Sequence, residues 1–249
     1  WTTGSSKFVR LSFKNIYDNT IKILEYLKIK NGHVGITNMP FSYSYMLSVI
    51  NTHIHSGASM LVTNKSIIDR NFWEIYQKYK VSSFNGVPYF FEILNKIGLE
   101  KIFNNNTKYI TQAGGMLDSE IKKKLLQFCN KKLTLFYIMY GQTESSPRIS
   151  FLNLVRNPKK IESIGKPLSK YKIFIKKGNG YLVKKPYDKG IINVKGENVC
   201  LGYAKSYLDL NKGDLFKKRI STNDLGYFDK DGYYYVVGRN NREQKILGN

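Results

Sequence analysis

The chain has 249 residues, 42% of them hydrophobic and 14% aromatic, with 40 Lys+Arg against 18 Asp+Glu for a formal charge of +22. Length and apolar content predict one large or two linked domains around a real core, which excludes a disordered chain. No apolar run approaches the ~18–20 residues of a membrane-spanning helix, so no integral membrane contact is expected. Two cysteines, Cys129 and Cys200, cannot build a multi-bridge framework and read as reduced thiols of a cytoplasmic protein.

In chain order, residues 15–28 place Ile16, Thr20, Ile23, Leu24 and Leu27 on one helical face. A short β-like run at 34–38 follows, then a helix at about 43–56, a strand at 59–63 and an amphipathic helix at 68–80. A strand at 82–84, a helix after Pro88, a strand at 108–112, a helix at 117–129 and a buried-looking strand at 133–139 continue the alternation. This pattern predicts an α/β fold with a mostly parallel sheet and flanking helices. Ligands of such sheets sit beyond the strand C-terminal ends, which points to the loops after 84, 112 and 139. After about 150 the texture changes to short strands broken by Gly, Asn and Asp turns (YKIFI, GYLV, GIINVKG, GYYYVVG), predicting a small antiparallel β sheet or distorted barrel. The expected division is an α/β subdomain over 1–155, a β-barrel-like subdomain over 156–237 and a hinge segment over 238–249. The chain opens on Trp1 and closes on Gly248-Asn249 without a terminal helix pattern, and reads as an internal piece of a longer protein.

The positive charge invites a nucleic-acid reading, but 33 of the basic residues are Lys and only 7 are Arg, spread along the chain among abundant Asn, Ile and Tyr. An A/T-rich genome produces that excess by itself, and the run Lys122-Lys123-Lys124 reads as the solvated end of a helix. No nucleic-acid partner is expected.

Three segments could carry chemistry. Trp1-Thr2-Thr3-Gly4-Ser5-Ser6-Lys7 can aim backbone N–H groups, hydroxyls and a lysine at phosphate oxygens, although an ordinary Ser/Thr turn explains it as well. Tyr140-Gly141-Gln142-Thr143-Glu144 follows a strand; its hydroxyl and carboxylate suit a magnesium-bound triphosphate, or equally a polar loop between domains. Asp224, within Ser221–Gly226, could accept hydrogen bonds from a ribose diol or cap a turn. Asp229-Lys230-Asp231-Gly232 is a hairpin turn. His53 and His55 lie two apart on a helix and cannot share one metal ion, His33 reads as a loop residue, and Tyr233-Tyr234-Tyr235 reads as alternating burial in a barrel strand.

Taken together and in order, these segments resemble the adenylate-forming enzyme superfamily, the acyl- and aryl-CoA ligases and peptide-synthetase adenylation domains. Thr2–Ser6 is similar to the start of its phosphate loop, Phe84-Asn85-Gly86-Val87-Pro88 to its acyl-pocket segment and Gln112-Ala113-Gly114-Gly115 to its glycine pair. Tyr140–Glu144 resembles the YGxTE motif, Gly190–Tyr203 the GEIxVxGxxVxxGY pattern, Thr222–Asp224 the TGD motif and Gly238–Gly248 the hinge. The resemblance implies ATP-dependent activation of a small carboxylic acid through an acyl-adenylate, then transfer to CoA or to the phosphopantetheine of an acyl-carrier protein. It implies that Thr2, Thr3, Gly4, Ser5 and Ser6, with Lys7, hold the phosphates. Thr143 and Glu144 would take phosphate and Mg²⁺, Gly114, Gly115, Tyr140, Gly141 and Gln142 would frame adenine, and Asp224 with Arg239 would hold the ribose.

The sequence departs from the pattern in places. Ser6 is followed directly by Lys7, so the Gly-x-Pro stretch of the phosphate loop is missing; Asn223 replaces the TGD glycine and Asn241 the hinge aspartate. The flanks of the large domain and the lid with its lysine lie outside this stretch, and losing one such contact costs about 10²–10³ in rate. The alternative to an active ligase core is a catalytically incomplete remnant that binds nucleotide or a partner. Residues Asn85–Tyr89, Gly114–Met116 and Ile138–Tyr140 would line a largely apolar acyl pocket, favouring a fatty or aryl acid over a charged amino acid.

Overall fold

The structure, a computed structural model, describes residues 8–103 and 105–240. In order it forms β1 (Phe8–Arg10), α1 (Phe13–Leu27), β2 (Val34–Ile36), α2 (Ser44–His55), β3 (Ser59–Leu61), α3 (Arg70–Lys78) and β4 (Ser83–Gly86). Next come α4 (Pro88–Ile97), α5 (Leu99–Ile102), β5 (Tyr109–Gln112), α6 (Ser119–Lys132), β6 (Leu135–Gly141) and β7 (Arg148–Asn153). The rest is β: β8 (Lys166–Pro167), β9 (Lys172–Lys176), β10 (Gly190–Lys195), β11 (Gly202–Ala204), β12 (Arg219–Phe228) and β13 (Tyr234–Arg239).

Local chemistry starts the helices. Ser12 and Asn15 exchange side-chain and backbone hydrogen bonds in a capping box before α1. Asp69 accepts from Asn71 N–H at the start of α3, and Asp118 accepts from Glu120 and Ile121 N–H at the start of α6. Pro88 opens α4, where its missing N–H costs nothing.

Strands β4, β5 and β6 run parallel, and β7 and β8 extend the sheet antiparallel. Strands β2 and β3 pair in parallel and join the β4 side through Ser82 N–H to Val34 O (2.8 Å) and Val34 N–H to Ser82 Oγ (3.0 Å). Period-two alternation on β6 sorts its two faces. Phe136 and Ile138 join Phe84, Phe91, Leu125 and Phe128 under α3–α6, whereas Tyr137 and Met139 join Ile23, Tyr45 and Val49 under α1 and α2. The expected α/β fold with a smaller antiparallel sheet is what forms: β13-β12-β10-β9 closes over Ile149, Ile173, Ile192, Val194 and Val199, and β1 pairs with β11.

Several expectations need correction. The strand placed at 133–139 runs from Leu135 to Gly141, so Tyr140 and Gly141 end it rather than follow it. Ser221–Gly226, where Asp224 was expected to cap a turn or accept from a ribose diol, lies inside β12. GYLV (180–183) contributes an isolated bridge, Lys176 to Leu182, rather than a ladder strand. Lys122 is not solvated: it lies in the first turn of α6, buried and paired with Glu162 at 2.8 Å. Tyr233–Tyr235 do not alternate: all three are half-buried, each held by a hydroxyl bond to a different partner, Asn157, Ile173 O and Asp229. On α2, His53 is buried and His55 exposed, and His33 lies just before β2. No helix among the described residues is long and apolar enough to cross a membrane.

Candidate active site

The C-terminal ends of β5 and β6 open onto one cleft. After β5 the chain turns at Gly114, whose φ of +84° suits glycine, and a Cβ there would meet the Tyr43 hydroxyl at 2.4 Å. Gln112, buried, donates from Nε2 to Gly115 O at 2.8 Å and fixes this turn. At the end of β6, Gly141 has no room for any side chain: a Cβ would lie 1.9 Å from Pro147 O. That close approach folds Thr143–Ser145 into a single 3₁₀ turn beside the cleft. Thr143 Oγ1 lies 3.1 Å from Ser44 Oγ, and Glu144 Oε1 accepts from the Tyr203 hydroxyl at 3.0 Å.

The opposite wall comes from the small sheet. Thr222 Oγ1 donates to Ile192 O at 3.0 Å and accepts from Asp224 N–H at 3.2 Å, while Asn223 adopts φ +60°, a conformation asparagine tolerates. This turn inside β12 aims the Asp224 carboxylate inward. Its Oδ2 accepts from the Tyr140 hydroxyl at 2.5 Å and its Oδ1 from Arg239 Nε, its cross-strand neighbour, at 3.1 Å. Burial, then the charge and hydrogen bond of Asp224, push the Tyr140 hydroxyl well above its ordinary pKa, so it stays a donor.

Between these walls lies a cavity of about 630 Å³, a size that suits a small-molecule ligand. The described residues anticipated as site residues all line it: Gly114, Gly115, Tyr140, Gly141, Gln142, Thr143, Glu144, Asp224 and Arg239. Glu144 and Asp224 therefore face one cleft. Thr2, Thr3, Gly4, Ser5, Ser6 and Lys7, and the hinge residues 241–249, lie outside the described residues.

Of the expected acyl-pocket residues, Gly114, Gly115, Met116, Ile138, Met139 and Tyr140 line the cavity. Asn85 instead lines a separate small recess, and Tyr89 is exposed. The sequence reading missed Tyr43, Lys122, Glu162, Ser163, Ile164 and Val236, all in the lining. Burial raises the Glu162 carboxyl, but hydrogen bonds from Lys122 and Ser119 outweigh that and hold it below its ordinary range. Tyr203, which closes the GEIxVxGxxVxxGY pattern, carried a signal for its contact with Glu144. No cluster of three His, Cys, Asp or Glu suited to a metal occurs among the described residues.

A family profile described as AMP-binding enzyme matches residues 2–204. A 2-succinylbenzoate–CoA ligase of Bacillus cereus is 29% identical over 245 residues, covering 96% of this chain and 48% of the relative. One from a Geobacillus species is 29% identical over 244 residues, covering 96% and 47%. The chain thus spans about half the length of the curated relatives it matches. Among solved structures, o-succinylbenzoate coenzyme A synthetase from Bacillus subtilis in complex with ATP and magnesium ion superposes with a TM-score of 0.80 at 24% identity, over 95% of this chain and 48% of that one. A long-chain-fatty-acid–CoA ligase from Archaeoglobus fulgidus gives 0.78 at 19% identity over 93% and 48%.

Proposed function

Because the chain belongs to the AMP-binding enzyme family, we propose that it is the nucleotide- and acid-binding core of an AMP-forming carboxylic acid–CoA ligase. The observation that carries this reading is the single cavity onto which Gly114-Gly115, Thr143, Glu144 and Asp224 converge from opposite walls. In this reading adenine lies between the glycine pair and the Tyr140 ring. The ribose diol donates to the Asp224 carboxylate, which Tyr140 and Arg239 hold in place. The phosphates extend toward Thr143 and Glu144, and Thr2, Thr3, Gly4, Ser5, Ser6 and Lys7 supply further groups to hold them.

Thr143 and Glu144 supply hard oxygen ligands of the kind Mg²⁺ takes; one protein carboxylate is enough, because Mg²⁺ keeps waters and phosphate oxygens as its other ligands. Bound there, the ion would neutralise phosphate charge. A carboxylate oxygen of the acid attacks the α-phosphorus; the bond to the bridging oxygen breaks and pyrophosphate leaves. A CoA thiolate then attacks the acyl carbonyl carbon and AMP departs. Little covalent work falls to the protein, so positioning and charge neutralisation carry the rate. The relatives' naming as CoA ligases favours CoA over a carrier-bound phosphopantetheine. Met116, Ile138 and Met139 in the lining favour an aryl or alkyl acid. In this scheme residues 1–155 and 156–237 form the two walls and 238–249 the hinge.

ATP–pyrophosphate exchange by the full-length protein containing this chain, run across a panel of carboxylic acids, tests the reading. Acid- and magnesium-dependent exchange is expected, reduced about 10²–10³-fold by Glu144→Ala. Nucleotide binding without exchange on any acid would favour the incomplete remnant instead.

A further inference from the structure

Three contacts run from one short stretch of chain to the 3₁₀ turn Thr143–Ser145. Asn198, fully buried, donates from Nδ2 to Ser145 O at 3.0 Å. Cys200 N–H donates to Glu144 O at 2.8 Å. Tyr203 then reaches the Glu144 side chain itself, its hydroxyl 3.0 Å from Oε1. The first two fix the backbone of the turn; the third acts on the carboxylate.

The Tyr203 ring is held in place by its surroundings. On β11 it stands between Gly202 and Ala204, both buried, so strand alternation turns it to the opposite face. Phe216 packs edge-on against it, with ring centroids 5.4 Å apart and planes at 85°. Phe216 rests in turn on the core of Ile149, Ile192 and Val199. Arg10, buried, ties this frame together. Its guanidinium donates to the carbonyls of Leu201, Lys212 and Gly213, which joins β11 to the segment carrying Phe216. Val9 on β1 is the cross-strand partner of Tyr203, and β1 follows directly on residues 2–7 in the sequence.

We infer that Tyr203 is a positioning residue, whose hydroxyl points the Glu144 carboxylate at the magnesium-bound phosphates without itself touching the nucleotide. The inference rests on the ligase reading, in which Glu144 takes the ion. A glutamate side chain turns about several torsions, and ordering it on binding costs rotamer entropy. A carboxylate already held by a braced phenol has lost part of that freedom before the ion arrives, so less of the binding is spent on ordering. The chemistry of the partner matters as well. A phenol offers one proton, so this bond occupies one of the carboxylate's roughly four acceptor sites and leaves both sites of Oε2 for a cation. A lysine or arginine would hold Glu144 as firmly but would compete with the ion for its charge.

The test uses the full-length protein at fixed ionic strength. Calorimetry gives the ATP dissociation constant in excess EDTA and in saturating Mg²⁺, and their ratio is the gain that the metal supplies. Y203F keeps the ring against Phe216 and removes the hydroxyl. It is expected to reduce the gain about 10-fold, with the EDTA constant and the melting temperature unchanged. In pyrophosphate exchange the magnesium requirement rises by the same factor, while KM for the acid keeps its wild-type value. E144A removes most of the gain, and Y203F added to E144A changes nothing further, because a residue that acts through Glu144 has no route left. A gain that Y203F leaves unmoved overturns the inference and leaves the ligase reading intact. Equal weakening in EDTA and in Mg²⁺ shows that Tyr203 contacts the nucleotide or supports the fold, and overturns it too. So does a Y203F loss that persists undiminished in the E144A background. A wild type whose ATP affinity is indifferent to Mg²⁺, or whose gain survives E144A, overturns the placement of the ion at Glu144, and the inference falls with it.

Discussion

Asp224 carries two hydrogen bonds from partners far apart in sequence, Tyr140 and Arg239, and presents its carboxylate to the cavity. Asp224→Ala removes the acceptor proposed for the ribose diol and the carboxylate that the Tyr140 hydroxyl bonds. Hydrogen bonds to charged groups contribute about 1.5–3 kcal/mol, so the nucleotide dissociation constant is expected to rise about 10–100-fold by calorimetry. Gly141 makes a different kind of prediction. The oxygen that would block a Cβ belongs to the backbone at 1.9 Å and cannot swing aside, so Gly141→Ala is expected to cost more than about 3 kcal/mol of stability. Gly114→Ala meets side-chain atoms, the Tyr43 hydroxyl at 2.4 Å and Val87 Cγ1 at 3.2 Å, which can shift where backbone cannot, and is expected to cost about 1–2 kcal/mol, mostly from its positive φ. Denaturant unfolding of the pair checks the order; equal losses would refute the backbone argument. Gly141, Glu144 and Asp224 are legible in the sequence because glycine and carboxylate types recur in a motif. Lys122 and Glu162 are not, because a lysine inside a triplet and an acid 40 residues away advertise neither burial nor pairing.

Helices α1 to α4 and α6 were legible from their apolar runs, whereas the four-residue α5 was not expected. The strands were harder. β12 reads as polar turn sequence through Ser221–Asp224, and Asn223 even turns left-handed; its pairing with β10 and β13 makes it a strand, and neighbours are invisible in a linear pattern. The hairpin joining β12 to β13 was anticipated, but not the depth of its anchor. Asp229 is buried: Oδ1 accepts from Asp231 and Tyr233 N–H, both at 2.9 Å, and Oδ2 from Lys160 at 2.7 Å and the Tyr235 hydroxyl at 2.9 Å. Burial pushes this carboxyl up, but the bonds from Lys160, Tyr233 and Tyr235 outweigh it and hold the group below its usual range. A carboxyl depressed in the folded state contributes stability above its unfolded pKa of about 3.9 and loses it as pH falls through the folded value. Asp229→Asn is therefore expected to lower stability at pH 7 by about 1–3 kcal/mol and to flatten the fall in melting temperature below about pH 4. A variant whose acid limb parallels the wild type would show that Asp229 does not set it.

The small sheet is built into the larger one at many points. Asn15 on α1 donates to Glu197 O and Val199 O, Asn198 donates to Ser145 O, Tyr171 donates to Asp18, and β1 pairs with β11 across nearly 200 residues. These are buried or half-buried bonds between sequence-distant segments, so opening one sheet exposes unpaired amides of the other, and the two are expected to unfold as one cooperative unit. The cavity follows the same seam, with Gly114 and Thr143 from one side and Asp224 and Arg239 from the other. A nucleotide seated there binds only when both walls are in place, so it stabilises the whole by mass action. At 100 times its dissociation constant, ligand adds about 2.7 kcal/mol, which for a chain of this size raises the melting temperature by about 5–10 °C. Calorimetry with Mg·ATP is expected to move a single transition by that amount at fixed ionic strength, and to move it much less in Asp224→Ala. Ionic strength matters because a net charge of +22 draws in any polyanion. A shift of equal size with inorganic triphosphate would report this general attraction, whereas dependence on adenosine ties it to the walls of the cleft. Two transitions, only one responding to nucleotide, would show that the seam does not couple the sheets and that the cleft belongs to one of them alone.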